Sequence, residues 1–318
     1  MDILNTKNKV AVCSRSFSRN QELRDCLLSR YQNVSFNDKG LNFSGENLVN
    51  FLYGNDKAII ALEVIDEAIL SQLPDLKVIS KYGVGLDMID IKAMRKYGVN
   101  LGWIGGVNKR SVSELVISFA IALLRLVPAA HREVLTGTWR QHIGTQFSGK
   151  TIGIIGCGHI GKDLVQLLQN FDCHILVNDI KNYPKFYEEF NIESVDLKRL
   201  LTSSDIVTLH TPLNSSTQNI LNAKRLNMMK PTAILINTAR GGLVDELALK
   251  KMLMDKTIAA AAFDVFVDEP PKDYELIELS NFLVTPHIGG STKESILAMG
   301  KAAIDGLDNY KIPEISFD

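Results

Sequence analysis

Cysteine is scarce in this chain. Four in 318 residues, Cys13, Cys26, Cys157 and Cys173, stand far apart and form no CxxC pair. That spacing argues against a disulfide framework and against a cysteine zinc site; no metal is expected, and a reducing, cytoplasmic location fits best. Charge of one sign is lacking too: 35 Lys and Arg against 36 Asp and Glu leave a formal net charge of -1. Neither nucleic acid nor a membrane surface is therefore an expected partner. Long apolar runs are missing. The most apolar stretch, Leu115 to Val127, is shorter than the roughly 20 residues that span a bilayer and contains Ser118 and Arg125. The opening MDILNTKNKV has no apolar signal core. Short-period repeats and low-complexity tracts are also absent. What is present is 46% hydrophobic and 22% charged residues, enough at this length for two domains with sizeable cores.

Short apolar runs alternate with amphipathic ones, the α/β pattern. In the first third, Val10–Cys13, Ala58–Leu62, Val78–Ser80 and Asn100–Ile104 read as strands, and Arg19–Arg30, Gly45–Phe51 and Ile89–Lys96 as helices between them. A helix apolar on most sides follows from Ser111 to Leu126, which Pro128 ends or kinks. From Lys150 a second series of strands begins: Thr151–Ile155, His174–Val177, Asp205–Leu209, Ala233–Asn237, Ile258–Phe263 and Phe282–Val284. Helices at Ile160–Asn170, Asp196–Ser203 and Val244–Asp255 separate several of them, which predicts a doubly wound parallel sheet. The last helix, Lys293–Tyr310, is compatible with either half.

Gly156-Cys157-Gly158-His159-Ile160-Gly161 is a GxGxxG lying directly between a strand, TIGII, and a helix, IGKDLVQLL. In that context the first glycine permits the tight turn, the second lets backbone approach a pyrophosphate, and the third lets helix and strand pack closely. The helix N-terminus offers unpaired N–H groups to the phosphates. Asp179, at the end of the next strand, has the spacing of the acid that accepts from the ribose 2′-OH of NAD and repels the 2′-phosphate of NADP. Lys181 is the one hint of tolerance for NADP.

Three segments end strands of the same predicted sheet: INTARGG with Arg240, FDVFVDEPP with Glu269, and VTPHIGG with His287. Histidine exchanges a proton near neutral pH, a carboxylate behind it fixes its tautomer, and arginine grips a carboxylate bidentately. Together they suit protonation of a ketone oxygen while a nicotinamide delivers hydride to its carbon. Singly, each has a plain alternative: Arg240 as a loop cap, Glu269 as a solvated turn residue.

The series KYGVGLDMID, VNKRSVSEL, TIGIIGCGHIG, HTPLNSSTQNILN, INTARGGLVDE, FDVFVDEPP and TPHIGGST resembles the D-isomer-specific 2-hydroxyacid dehydrogenase family, particularly its D-3-phosphoglycerate dehydrogenase-like branch. The resemblance implies two doubly wound α/β domains: a Rossmann NAD-binding domain, 104–290, inserted into a flavodoxin-like substrate domain, 1–103 plus 291–318, with substrate and nicotinamide in the cleft between. It implies NAD-dependent interconversion of a 2-oxo acid and a D-2-hydroxy acid, with Arg240 on the substrate carboxylate, His287 as acid/base and Glu269 as its partner. Tyr82-Gly83-Val84-Gly85 would meet the same carboxylate with backbone N–H groups, with Asn108 and Ser111 near the nicotinamide. His210, Thr211, Pro212, Thr217, Thr238, Ala239, Asp264, Gly289 and Gly290 would line the cofactor. A homodimer through the long apolar helix is also implied.

The match has departures. Ala61-Leu62-Glu63 stands where a phosphoglycerate enzyme often has an arginine, Lys81 where a second cation is common, and Trp103 in a segment that usually starts threonine-proline. Trp103 either shapes the pocket or fills the core; Lys109 and Arg110 either meet an anion or, the reading preferred, are solvated surface charge. The competing reading is an NAD-sensing, corepressor-like binding protein on the same fold. Formate and phosphite dehydrogenases share the scaffold and form a third.

Overall fold

The computed structural model describes residues 5–314; residues 1–4 and 315–318, which the sequence reading assigns to the substrate domain, lie outside the described residues. The chain divides into two compact units, one taking in the chain up to Asn108 and from Thr292 onward, the other running from Lys109 to Ser291.

The first unit holds strands β1 (Asn5–Val12), β2 (Tyr31–Phe36), β3 (Lys57–Ile60), β4 (Val78–Lys81) and β5 (Asn100–Gly102). They form one sheet in the order β2-β1-β3-β4-β5, with every pair parallel. The central strands are buried on both faces, as a parallel sheet between helical layers requires. The C-terminal helix, Lys293–Gly306, packs on β4, β5 and the helix Gln21–Leu28, which settles its membership. A Cβ on Gly102 would lie 2.1 Å from the Gly306 carbonyl oxygen, so sheet and helix meet there backbone to backbone.

The second unit holds β6 (Thr151–Ile155), β7 (His174–Asn178), β8 (Glu193–Ser194), β9 (Ile206–Leu209), β10 (Ile234–Asn237), β11 (Ala260–Phe263) and β12 (Phe282–Val284). Their order is β12-β11-β10-β9-β6-β7-β8, again all parallel. Winding starts at β6, proceeds to β7 and β8 on one side, then returns to β9 on the other, so the topological switch point lies between β6 and β9. Aspartate side chains start the flanking helices: Asp196 and Asp245 accept from the N–H three residues on. The apolar helix is Lys109–Leu124 and packs on the helix His159–Leu168 and on β10 and β11. Leu126, in the left-handed region at φ 55°, breaks it, and the next helix, Val127–Leu135, leaves at 61°. Pro128 sits at the start of that helix, where its missing N–H is harmless. No single helix among the described residues is long and apolar enough to cross a membrane.

Candidate active site

The glycine loop connects β6 to the helix His159–Leu168 at the switch point of the seven-stranded sheet. Gly156 has φ +97°, and a Cβ there would lie 2.5 Å from the carbonyl oxygen of His210 at the end of β9. Gly161 is equally constrained, 2.3 Å from the Gly156 oxygen, whereas a Cβ on Gly158 would meet nothing within 4 Å. Two glycines thus close the turn, and the third leaves open space over the N-terminus of a ten-residue helix that begins at His159 and Ile160. Asp179 follows β7 and binds this loop directly: one carboxylate oxygen accepts from Cys157 N at 2.5 Å, the other from Lys181 N at 2.7 Å. Lys181 therefore anchors Asp179 through its backbone. Burial, with the Asp179 carboxylate adding to it, pushes the Cys157 thiol up to about 11, so it stays protonated and unreactive.

Across the switch point, Thr217 Oγ1 donates to Pro212 O at 2.6 Å and accepts from Asn214 N at 2.8 Å, closing the turn that carries His210, Thr211 and Pro212. Burial pushes the His210 ring down to about 3, so it is neutral. Its Nε2 pairs with Thr208 Oγ1 at 3.0 Å, while its Nδ1 and the Thr238 hydroxyl are buried without a hydrogen-bond partner among the described residues. A dinucleotide fits this arrangement: there is a glycine cradle, a helix N-terminus, a carboxylate at the next strand end and polar atoms awaiting partners. Gly156, Gly158, Gly161, Asp179, His210 and Thr238 are the residues placed to hold it.

The three chemical side chains follow three adjacent strands. After β10, Asn237 organises the turn, accepting from Ala239 N at 3.1 Å and donating to Arg240 O at 2.8 Å. The Arg240 guanidinium donates to Ala239 O at 2.7 Å. A Cβ on Gly241 would lie 2.0 Å from the Phe266 carbonyl carbon, so the Arg240 turn is docked against the loop after β11. That loop carries Glu269, whose Oε1 accepts from Phe266 N at 3.1 Å and whose Oε2 lies 2.8 Å from His287 Nδ1. The pair leaves the imidazole Nε2 as the nitrogen available to a ligand. His287 itself is in the left-handed region, φ 53°, a conformation that costs about 1–2 kcal/mol for a residue with a Cβ and marks a site whose surroundings hold it in place.

Asp264 does the holding. It is 1% exposed, and its carboxylate accepts from Thr285 Oγ1 at 2.5 Å, Ile288 N at 2.7 Å and Gly289 N at 2.7 Å. His287 N donates to the Asp264 carbonyl at 2.9 Å. The family resemblance places Asp264 beside the cofactor; in the structure both its oxygens are engaged by the His287 loop. Ser111 Oγ donates to Gly289 O at 2.5 Å, a second fastening on the same loop, and Gly290 follows it. Asn237 and Thr285 were not singled out from sequence.

Other residues are placed as follows. In the first unit, Trp103 Nε1 donates to Val84 O at 3.0 Å, so the indole braces the Tyr82–Gly85 loop. Tyr82 N donates to Ile60 O at 2.8 Å, and Gly83 has φ +122°. The Asn108 side-chain oxygen is buried without a partner among the described residues. Arg110 departs from expectation: it makes a two-pronged pair with Asp163, at 2.9 and 3.2 Å, whose side chain is only 2% exposed.

A family model described as D-isomer specific 2-hydroxyacid dehydrogenase, NAD binding domain, matches residues 117–289. A glyoxylate reductase of Thermococcus litoralis is 35% identical over 265 residues, covering 80% of each chain. A D-3-phosphoglycerate dehydrogenase of Methanocaldococcus jannaschii is 37% identical over 235 residues, 73% of this chain but 45% of that longer one. A solved structure described as a D-isomer specific 2-hydroxyacid dehydrogenase of Polaromonas superposes with a TM-score of 0.86 at 26% identity, covering 96% of this chain and 99% of that one. The strand order, the glycine cradle at the switch point and the matched sequence agree, and the chain belongs to the D-isomer-specific 2-hydroxyacid dehydrogenases, as an NAD-dependent oxidoreductase of that family.

Proposed function

We propose that the protein interconverts a 2-oxo acid and its D-2-hydroxy acid, with His287 as the acid/base. The observation that carries this reading is the 2.8 Å contact between His287 Nδ1 and Glu269 Oε2, made by loops at the carboxyl ends of neighbouring strands, where α/β sheets present their ligands. Glu269 accepts from Nδ1–H and fixes the tautomer, so that in reduction Nε2–H donates its proton to the carbonyl oxygen of the substrate. In oxidation the neutral Nε2 accepts the proton of the substrate hydroxyl. NAD, when bound, supplies or accepts the hydride at the substrate's second carbon. Arg240 binds the substrate carboxylate through its planar guanidinium and orients the carbonyl. Asp179 selects NAD by accepting from the ribose 2′-OH.

The protein is also proposed to work as a homodimer. The helix Val127–Leu135 has no buried residue, and beyond it Trp139 is 86% and Ile143 96% exposed. Pairing with a second copy would cover these exposed apolar side chains. Sedimentation of the wild type and of Trp139→Ser tests this, with the variant shifting toward the monomer.

The test of function is NADH oxidation, followed by absorbance, against glyoxylate, pyruvate, hydroxypyruvate, 3-phosphohydroxypyruvate and bulkier 2-oxo acids, repeated with NADPH. Turnover of at least one with NADH, and at least tenfold less with NADPH, is expected. Binding of NADH without turnover of any would overturn the reading.

A further inference from the structure

We propose that Glu246, which ends the INTARGGLVDE segment, is a positioning residue that holds the Glu269 loop in place against both His287 and the Arg240 turn. The proposal rests on the 2-oxo acid reading above and adds to it a residue that acts through Glu269. Its basis is the peptide group between Phe266 and Val267. Phe266 N donates to Glu269 Oε1 at 3.1 Å, and Glu269 Oε2 lies 2.8 Å from His287 Nδ1. A Cβ on Gly241 would lie 2.0 Å from the Phe266 carbonyl carbon and 2.3 Å from Val267 N, so the backbone beside Arg240 rests on the same peptide group. The next N–H along, that of Val267, donates to Glu246 Oε1 at 3.1 Å. The partner of the acid/base and the turn assigned to the substrate carboxylate thus share one support, and Glu246 fastens it.

The helix Glu246–Met254 supplies the anchorage. Asp245 caps it by accepting from Ala248 N at 3.0 Å, which makes Glu246 its first residue. One turn on, Lys250 donates to both oxygens of Asp273 at 2.9 and 3.0 Å and pairs with Glu275 at 2.6 Å. The helix therefore holds the loop at Val267 and again at Asp273, on either side of Glu269. Between those points the loop is open to solvent: Val267, Asp268 and Glu269 are all exposed. Water can take over the Val267 N–H when Glu246 is shortened or removed, so the loss falls on the position of the loop more than on the stability of the fold. Burial pushes the Glu246 carboxyl above its ordinary range, with Asp268 and Asp273 adding to the push and the Val267 N–H opposing it. Negative charge is disfavoured at this place, and what the loop uses is an acceptor of the right reach.

Three variants separate reach from charge. Glu246→Gln keeps an acceptor at the same distance, Glu246→Asp keeps the charge at the helix start but is one methylene shorter, and Glu246→Met keeps the length with neither. Positioning predicts that Glu246→Gln stays within about twofold of the wild-type kcat while Glu246→Asp and Glu246→Met lose about tenfold, inside the roughly 100-fold that a displacement of about 1 Å can cost. NADH affinity should change less than about twofold in all three, since the loop is held apart from the glycine cradle. A residue that serves only the helix dipole predicts the reverse order, with Glu246→Asp intact and Glu246→Gln impaired, and that order would overturn the proposal. In a Glu269→Ala background the effect of Glu246→Met should shrink to less than about twofold, and an equal factor in both backgrounds would refute the coupling.

A second measurement needs no turnover. Glu269 selects the Nδ1–H tautomer of neutral His287, whereas an imidazole released into water favours the Nε2–H form. Nitrogen NMR of isotope-labelled histidine at alkaline pH, with the His287 signals assigned by their loss in His287→Gln, reads which nitrogen carries the proton. Wild type and Glu246→Gln should show the proton on Nδ1, and Glu246→Asp and Glu246→Met should shift toward Nε2. If Glu246→Met fails to fold, the contrast between Glu246→Gln and Glu246→Asp carries the test. An unaltered ring in the shortened variant would overturn the positioning role, whatever the substrate. The stated tautomer shifts in an enzyme that turns over no 2-oxo acid would support the role of Glu246 and count against the reaction assignment alone.

Discussion

Replacing Asp264 by alanine removes the carboxylate that accepts from Thr285 Oγ1, Ile288 N and Gly289 N at 2.5 to 2.7 Å. Two backbone N–H groups then lose their acceptor at a site where the side chain is 1% exposed. At about 1–3 kcal/mol for each unsatisfied buried donor, the loss comes to about 2–6 kcal/mol. The same bonds keep His287 at φ 53°, so relaxation of the loop moves the imidazole away from Glu269. A displacement of about 1 Å at a reacting group is enough for about 100-fold in rate. Asp264→Ala should therefore unfold at lower urea and lose about 100-fold in kcat, while NADH affinity, read by fluorescence titration, changes less than threefold. Asp264→Asn, which keeps one acceptor, should fall between. If NADH affinity instead dropped tenfold or more with kcat little altered, Asp264 would be a cofactor residue and the loop-clamp argument would fail.

Three further outcomes follow from particular contacts. Gly156→Ala places a methyl group 2.5 Å from His210 O at φ +97°, and should weaken NADH binding at least tenfold in the same titration. His210 is neutral in the fold, with a pKa of about 3 against 6.5 ordinarily, so the unfolded chain takes up its proton first. Its share of stability is full above pH 6.5 and is lost as the pH falls from there toward 3. Partial exposure tempers the shift, and between pH 7 and 5 the wild type should lose about 1–2 kcal/mol more than His210→Gln in urea unfolding. Arg110→Met strands the Asp163 carboxylate, whose side chain is 2% exposed, and should cost about 2–4 kcal/mol, most of it recovered in Arg110→Met/Asp163→Leu.

The parts of the fold legible in the sequence are those whose burial writes a period. Thr151–Ile155 and Phe282–Val284 come out with the bounds read from sequence, because short apolar runs between turn residues have few alternatives. β2 was missed: YQNVSF is an edge strand with mostly solvated side chains, so no apolar run announces it. The helix Pro184–Glu189 and the two-residue β8 escaped for the same reason. The expected helix from Arg19 to Arg30 is shorter, Gln21–Leu28, and a separate short helix, Arg15–Arg19, precedes it, since Asn20 caps the second and ends the first. In the candidate site, glycines and strand-end residues were readable because their spacing follows from the chemistry of a pyrophosphate turn. Long-range partnerships were not. The bonds from Asp264 to the His287 loop, from Trp103 to Val84 and from Arg110 to Asp163 each join positions 19 to 53 residues apart, and no local pattern encodes them. Arg110, with its side chain 55% exposed, reads as solvated in sequence because its buried partner lies 53 residues on.

The central claim is that His287, set by Glu269, moves the proton in the reduction of a 2-oxo acid. The direct measurement is kcat for His287→Gln against wild type, with saturating NADH and the best substrate of the panel. The variant is expected to retain NADH binding and to lose about 100- to 10,000-fold in kcat, the usual range for a positioned acid/base. A variant that folds, binds NADH and turns over at the wild-type rate would contradict the account.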